Sequence, residues 1–281
     1  MLKINGIKVK RINKKCNLTK DAVLLFEKGQ HKIYWVGTSS SRALRNNIYL
    51  IKDRNEGIII DCGSRGEFQE TLSRIKQVMP LSYITKIFAN HQDPDVTSAM
   101  VDWLELNPNI EIIASPNTHT LIQHYMPNGE TYKYFNTDRN PILTLDSGAV
   151  LEFIPSPFMH SPGAVSIYNR YTKTLFSGDI WAAISVEWKL ILEDDFEEHV
   201  EYMDFFHQGY IASNKAARNF LLNFKNREVH HIMPQHGSIL IEKNINKAFV
   251  YLKELKCGVD YFDEVSDEEL SFLNKNLDYT I

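Results

Sequence analysis

Sulfur chemistry is nearly absent from this sequence. Cysteine occurs three times in 281 residues, as Cys16, Cys62 and Cys257. The number is odd, the spacing is wide and no C-x-x-C occurs, which argues against a disulfide framework and a thiolate zinc site and favours a reducing, cytoplasmic setting. Long apolar runs are missing too. Nothing approaches the roughly 18 apolar residues of a membrane helix. Met1 leads into Lys3 without a sustained apolar stretch, so neither membrane span nor signal peptide is expected. Positive charge is not in excess: the formal net charge is -4, which gives no reason to expect nucleic acid. Phosphate-cradling G-x-x-x-x-G-K-[ST], dinucleotide-type G-x-G-x-x-G and the nucleophile elbow G-x-S-x-G do not occur.

What is present is ample apolar content, 43% of residues, enough for a large core. No low-complexity linker or shift in composition interrupts the chain, so a single domain over 1–281 is expected. Lysines and an arginine crowd the first twenty residues (Lys3, Lys8, Lys10, Arg11, Lys14, Lys15, Lys20) and acids the end (Asp263, Glu264, Asp267, Glu268, Glu269); both are read as solvated. Ile33–Val36 reads as a strand, and Ile48–Ile51 with Ile58–Ile60 as a hairpin around Asp53–Gly57. Further strands are expected at Ile84–Phe88, Ile110–Ala114, Val150–Ile154, Ala164–Tyr168, Thr174–Ser177 and Val229–Met233. Helical spacing marks Glu67–Val78, Thr97–Leu106 (capped by Thr97 or Ser98), Thr118–Tyr125, Glu197–His207, Asn214–Phe224 and Ile245–Leu255.

The densest chemistry is His91-Gln92-Asp93-Pro94-Asp95, directly after an apolar strand. In an extended segment His91, Asp93 and Asp95 point the same way and converge, and Pro94 pushes Asp93 towards that conformation. His160, Asp179 and His236 also follow β runs. Loops at strand ends are where α/β scaffolds hold ligands. Together these residues give three imidazoles and three carboxylates, more than one tetrahedral zinc uses, so two ions sharing a carboxylate are inferred. Asp179 is the bridge candidate because Gly178 permits close backbone approach. A set rich in carboxylate and without thiolate moves the balance towards iron over zinc or manganese.

The ordered spacing resembles the metallo-β-lactamase superfamily, and within it the flavodiiron branch, which reads H-x-E-x-D-H where the hydrolases read H-x-H-x-D-H. Asp93 supplies the carboxylate of the second position. His160 and Asp179 stand 179 − 160 = 19 positions apart, as in that branch, and His236 in Pro234-Gln235-His236-Gly237 matches the last ligand. The resemblance covers about Ile33 to Gly237. It implies a four-layer αββα sandwich, an α/β fold with two mixed sheets face to face, helices outside, and the site where strand-exit loops meet. It implies two iron ions, one held by His91, Asp93 and His160, the other by Asp95 and His236, with Asp179 between them. Val96 departs from the branch, which usually has histidine there, and leaves the second ion open positions in a drier pocket. The chain leaves no room for a flavodoxin-like module, so no bound FMN is expected.

The chain is thus similar to stand-alone oxygen-binding di-iron proteins linked to bacterial oxygen sensing and chemotaxis. The resulting expectation is a di-iron protein that binds dioxygen or nitric oxide, as a sensor that signals to a receptor or as the electron-accepting part of a reductase. If it turns over, it is an oxidoreductase fed by an external donor; homodimerisation is left open. The rivals are a dinuclear metallohydrolase acting on phosphoesters or esters and a metal-free interaction module. Of the other histidines, His207 is read as packing among aromatics, and His31, His119, His124 and His199 as surface or loop residues. His230 and His231 are read as facing opposite ways on a strand. Tyr202 and Tyr210 are read as core packing, with a hydrogen bond to the bound gas as the alternative. Thr38 to Arg42 is read as a plain loop.

Overall fold

A computed structural model describes residues 2–4, 7–9, 21–38, 43–127, 131–185, 189–264 and 266. Two short strands, β1 (Leu2–Ile4) and β2 (Ile7–Val9), pair antiparallel at the start of the chain. Two seven-stranded sheets follow. The first is built in chain order from β3 (Val23–Lys28), β4 (His31–Trp35), β5 (Tyr49–Asp53), β6 (Glu56–Ile60), β7 (Ile84–Phe88), β8 (Glu111–Ala114) and β9 (Lys133–Asn136). The second contains β10 (Ile142–Thr144), β11 (Val150–Pro155), β12 (Val165–Asn169), β13 (Thr174–Gly178), β14 (Ile191–Leu192), β15 (His231–Pro234) and β16 (Ile239–Ile241), with β14 lying outside β16.

Alternation along the strands dictates the layers. Tyr49, Ile51, Ile58 and Ile60 face the interior between the sheets, whereas Leu50 and Ile59 face outward, and all are buried. The second sheet repeats this: Phe153, Ile167, Phe176 and Met233 join the central core, and Ile154, Tyr168, Leu175 and Ile232 the outer one. Both faces of each sheet are therefore apolar, and helices must cover the outer ones. On the first sheet these include α1 (Phe68–Val78), α2 (Pro94–Thr97), α3 (Met100–Leu106) and α4 (Pro116–Ile122), with Ile75, Trp103 and Ile122 in the shared core. On the second they are α5 (Phe196–Tyr210), α6 (Asn214–Leu221) and α7 (Glu242–Glu254), through Met203, Phe220 and Leu252. Each fully buried aliphatic or aromatic side chain contributes about 1.5–3 kcal/mol, which makes the αββα sandwich the stable solution. This is the expected four-layer α/β fold.

Topology also fixes where loops gather. β11 is antiparallel to β12, β12 to β13, and β13 is parallel to β15, so β11, β13 and β15 leave the sheet at one rim. The exit of β7 is tied to that rim: Val165 N–H at the start of β12 donates to the Asn90 carbonyl at 3.0 Å.

Four readings of the sequence need correction. The helix expected from Thr97 begins at Pro94, breaks, and resumes at Met100, so neither Thr97 nor Ser98 caps a helix N-terminus. Their hydroxyls instead bond back to the carbonyls of Asp93 (3.0 Å) and Pro94 (2.5 Å). Proline suits the first helical position because its fixed φ and missing N–H cost nothing there. His31 and His199 are buried, not superficial. His31 Nδ1 lies 2.7 Å from Asp53 and its Nε2 accepts from Asn169 at 2.9 Å, bridging the two sheets. Tyr210 is 59% exposed and Tyr202 is half-buried, so Tyr210 is not core. His230 precedes β15, with carboxylates of Glu228 and Glu242 at 3.0 and 3.3 Å, while His231 is buried. The expected loop at 38–42 lies, beyond Thr38, outside the described residues, as does Cys16; Cys62 and Cys257 are buried free thiols. Among the described residues no helix is long and apolar enough to cross a membrane.

Candidate metal centre

The site is assembled from four strand exits. β7 ends at Phe88, and the chain runs through Asn90 to His91. Asn90 is bound on every side. Its N–H donates to Asp61 Oδ1 at 2.9 Å, its side-chain amide donates to the Val165 carbonyl, and its Oδ1 accepts from His91 Nδ1 at 2.8 Å. His91 is thereby held as the Nδ1–H tautomer with Nε2 turned to the site. His236 is oriented the same way: Nδ1 donates to the Arg45 carbonyl at 2.8 Å. Asp179 directly follows β13, and Gly178 before it has φ +61. A Cβ on Gly178 would lie 2.2 Å from the Asn90 side chain. The close approach expected there is real, and the group that approaches is Asn90.

The structure brings all six expected residues together. Asp179 Oδ2 lies 3.3 Å from His91 Nε2 and 2.9 Å from His160 Nε2, and Asp93 Oδ2 lies 3.5 Å from each of those two nitrogens. On the opposite side, His236 Nε2 lies 3.5 Å from Asp179 Oδ1 and 3.2 Å from Asp95 Oδ2. The two oxygens of one buried carboxylate thus face two separate sets. The expected single point of convergence is not what forms. Asp93 is extended (ψ 147), but Asp95 sits in the first turn of α2, and helical geometry turns it away from Asp93 towards His236. Val96 is fully buried and offers no ligand atom.

The donor chemistry demands a cation. With Nδ1–H committed to Asn90, a neutral His91 aims its Nε2 lone pair at carboxylates, acceptor against acceptor. Among the described residues, buried His91 Nε2 and Asp179 Oδ1 find no hydrogen-bond partner. Burial without a partner costs about 1–3 kcal/mol per group. In the absence of an ion, protons take up the role. Burial works against charge on His91, but Asp179 and Asp93 outweigh it and raise its pKa to about 10. Burial likewise opposes charge on His236, and Asp179 and Asp95 outweigh it to raise its pKa. For Asp179, burial favours the neutral acid, yet His91, His236 and His160 hold it well below the usual carboxylate range. An arrangement of histidines that must be protonated to coexist with buried carboxylates is one a divalent metal satisfies without protons.

Several contributors escaped sequence reading. Asp61, at φ +54, follows the strand Ile58–Ile60 and receives the Asn90 N–H; burial pushes its carboxyl up to about 7. The signal that located the six, a polar residue leaving an apolar strand, was present there too. His207, read as packing, is buried with both nitrogens used: Nδ1 donates to the Met203 carbonyl and Nε2 accepts from Trp181 N–H, each at 2.8 Å. It fixes the loop that carries Asp179. Phe206 and Tyr210 of α5 stack at 4.6 Å and stand edge-on to the His160 ring at 5.9 and 5.8 Å; Phe206 also lies 6.4 Å from His236. They wall one side of the site.

Comparison with known proteins agrees with this geometry. Residues 44–237 match the family model described as ODP family beta lactamase. The chain belongs to that family. The solved structure described as "Apo state of chemotaxis sensor ODP from T. denticola" is 33% identical, with a TM-score of 0.76 over 86% of this chain and 97% of the other. Another, described as "Peroxy diiron species of chemotaxis sensor ODP", is 33% identical at a TM-score of 0.75, covering 85% of this chain and 97% of that one. Among curated relatives, "Flavo-diiron protein FprA2" of Clostridium acetobutylicum is 28% identical over 164 residues, 58% of this chain and 39% of the relative. The chain spans well under half the length of the curated relatives it matches first. The metallo-β-lactamase resemblance, flavodiiron-like, is therefore borne out at the level of family and fold.

Proposed function

We propose that this chain binds two iron ions and, through them, dioxygen or nitric oxide, and that it works as an oxygen sensor in bacterial signalling. The observation that carries the reading is the division of the buried Asp179 carboxylate between two sets. His91, Asp93 and His160 would hold one ion, Asp95 and His236 the other, with Asp179 shared. Imidazole and carboxylate without thiolate, at no more than two imidazoles per ion, suit iron. Ferrous iron with open positions supplies reversible affinity for small diatomic gases. The second set contributes only Asp95 and His236 beside the shared carboxylate, because Val96 brings no nitrogen.

The chain's own groups do the rest. Asn90 and the Arg45 carbonyl hold two imidazoles in the tautomer that presents Nε2. Phe206, buried, limits water at the face shared by His160 and His236. Few protons then reach the gas, which favours holding it over reducing it. Sensing is further supported by likeness at 33% identity to proteins described as chemotaxis sensors. A signalling receptor is the partner this reading requires; a reductase partner belongs to the turnover version.

The test is anaerobic reconstitution of the full chain with ferrous iron, followed by air or nitric oxide. Two bound equivalents and a visible absorption change that persists in air and yields no turnover support the reading. A spectroscopically silent protein that hydrolyses phosphodiesters when loaded with zinc would favour the hydrolase instead.

A further inference from the structure

Gln92 stands between two of the proposed ligands and touches the loop of a third. Its side-chain Nε2 donates to Asp93 Oδ1 at 2.9 Å, on the carboxylate oxygen opposite the one that faces His91 and His160. Its Oε1 accepts from Ser161 Oγ, the residue next to His160. Ser161 Oγ in turn accepts from Gly163 N–H at 3.4 Å, so its own proton is free to go to Gln92. That fixes the amide: oxygen towards Ser161, nitrogen towards Asp93. The backbone is also held, because the Gln92 carbonyl accepts from Tyr125 OH at 3.2 Å. Asp93 needs such a constraint. Its side chain is 34% exposed, against 5% for Asp179.

We propose that Gln92 is a positioning residue that ties up one oxygen of Asp93, leaves a single oxygen for the first ion, and couples the His91 loop to the His160 loop through Ser161. This rests on the two-ion reading above. Ligands held by an outer hydrogen bond typically lose about 10- to 100-fold in metal affinity when that bond is removed.

The full-length protein, stripped of metal, is titrated anaerobically with cobalt(II), read by visible absorption and by the bound equivalents. Wild type is expected to take up two. Gln92→Met keeps the length and removes both hydrogen bonds; one of the two cobalt equivalents should weaken about 10- to 100-fold with a changed spectrum. The thermal unfolding of the metal-free variant should stay close to wild type. Gln92→Glu keeps the acceptor for Ser161 but sets a carboxylate against Asp93, and should weaken that equivalent at least as much. Ser161→Ala should cost less than Gln92→Met, and the double variant no more than Gln92→Met, since Ser161 acts through Gln92. If wild type and Gln92→Met bind two equivalents with equal affinity and equal spectra, or if the double variant is additive, the inference falls while the two-ion reading stands. If wild type itself binds no cobalt, the reading of the site falls and takes the inference with it.

Discussion

At the scale of single residues, Asp179 and Gly178 do the most with the fewest atoms. Asp179 serves two sets through one carboxylate, so its loss cannot be local. Asp179→Asn is expected to retain no iron through desalting, whereas Asp95→Asn should retain one of two equivalents; iron assay of anaerobically reconstituted protein distinguishes them. Gly178 adopts a left-handed backbone and lies against Asn90. Gly178→Ala therefore meets conformational strain of about 1–3 kcal/mol and a collision with the side chain that fixes His91. The expected result is a drop in denaturation midpoint together with weaker metal retention. A drop in stability with unaltered metal binding would show that Asn90 has room to move. Gly63, at φ +81 in the loop after β6, is under similar constraint, since a Cβ there would lie 2.5 Å from the Ile48 side chain.

At the scale of elements, α5 links packing to chemistry. Its Phe206 and Tyr210 wall the site, while His207 at the next position receives the Trp181 N–H. Trp181 also donates from its indole to the Ala248 carbonyl of α7 at 2.8 Å and stacks on Phe249. The loop after β13 is thus clamped by two helices. His207→Phe preserves bulk but leaves the buried Trp181 N–H without its partner, at about 1–3 kcal/mol. It is expected to lower stability and loosen both ions, as measured by chemical denaturation and by iron retention. Elements were largely legible beforehand. Ile84–Phe88 was expected with the very bounds of β7, and Val150–Ile154 falls one residue short of β11, because alternating or continuous apolar runs betray strands locally. The helix through Asp95 was not legible. Proline after an extended residue reads as loop, and only packing under the first sheet shows that it opens a helical turn.

At the scale of the whole molecule, buried neutral histidines tie folding to pH. His199, His207 and His231 are each pushed down to about 4 by burial, and among the described residues neither ring nitrogen of His231 has a hydrogen-bond partner. A base with a folded pKa below its unfolded value of 6.5 contributes full stability above 6.5 and loses it as pH falls towards 4. His231→Phe is therefore expected to flatten the decline in metal-free stability between pH 7 and 5, on the order of 1–2 kcal/mol. Denaturant titrations of wild type and variant at both pH values check this. Asp61, with its carboxyl near 7, acts in the opposite direction, but equally in both proteins. The distribution of chemistry is also a whole-molecule property. By itself, the sequence determined most of the strands and the six candidate ligands, because apolar runs and a polar residue leaving one are local patterns; the four-layer arrangement was implied by the family resemblance. The division of the six into two sets was already implied by that resemblance; only the tertiary structure decided which nitrogen each of His91 and His236 presents, and that Asn90, the Arg45 carbonyl and His207 hold the loops that carry them. Those outcomes depend on strands far apart in the chain reaching one rim, and on hydrogen bonds between loops that no spacing in the primary structure records.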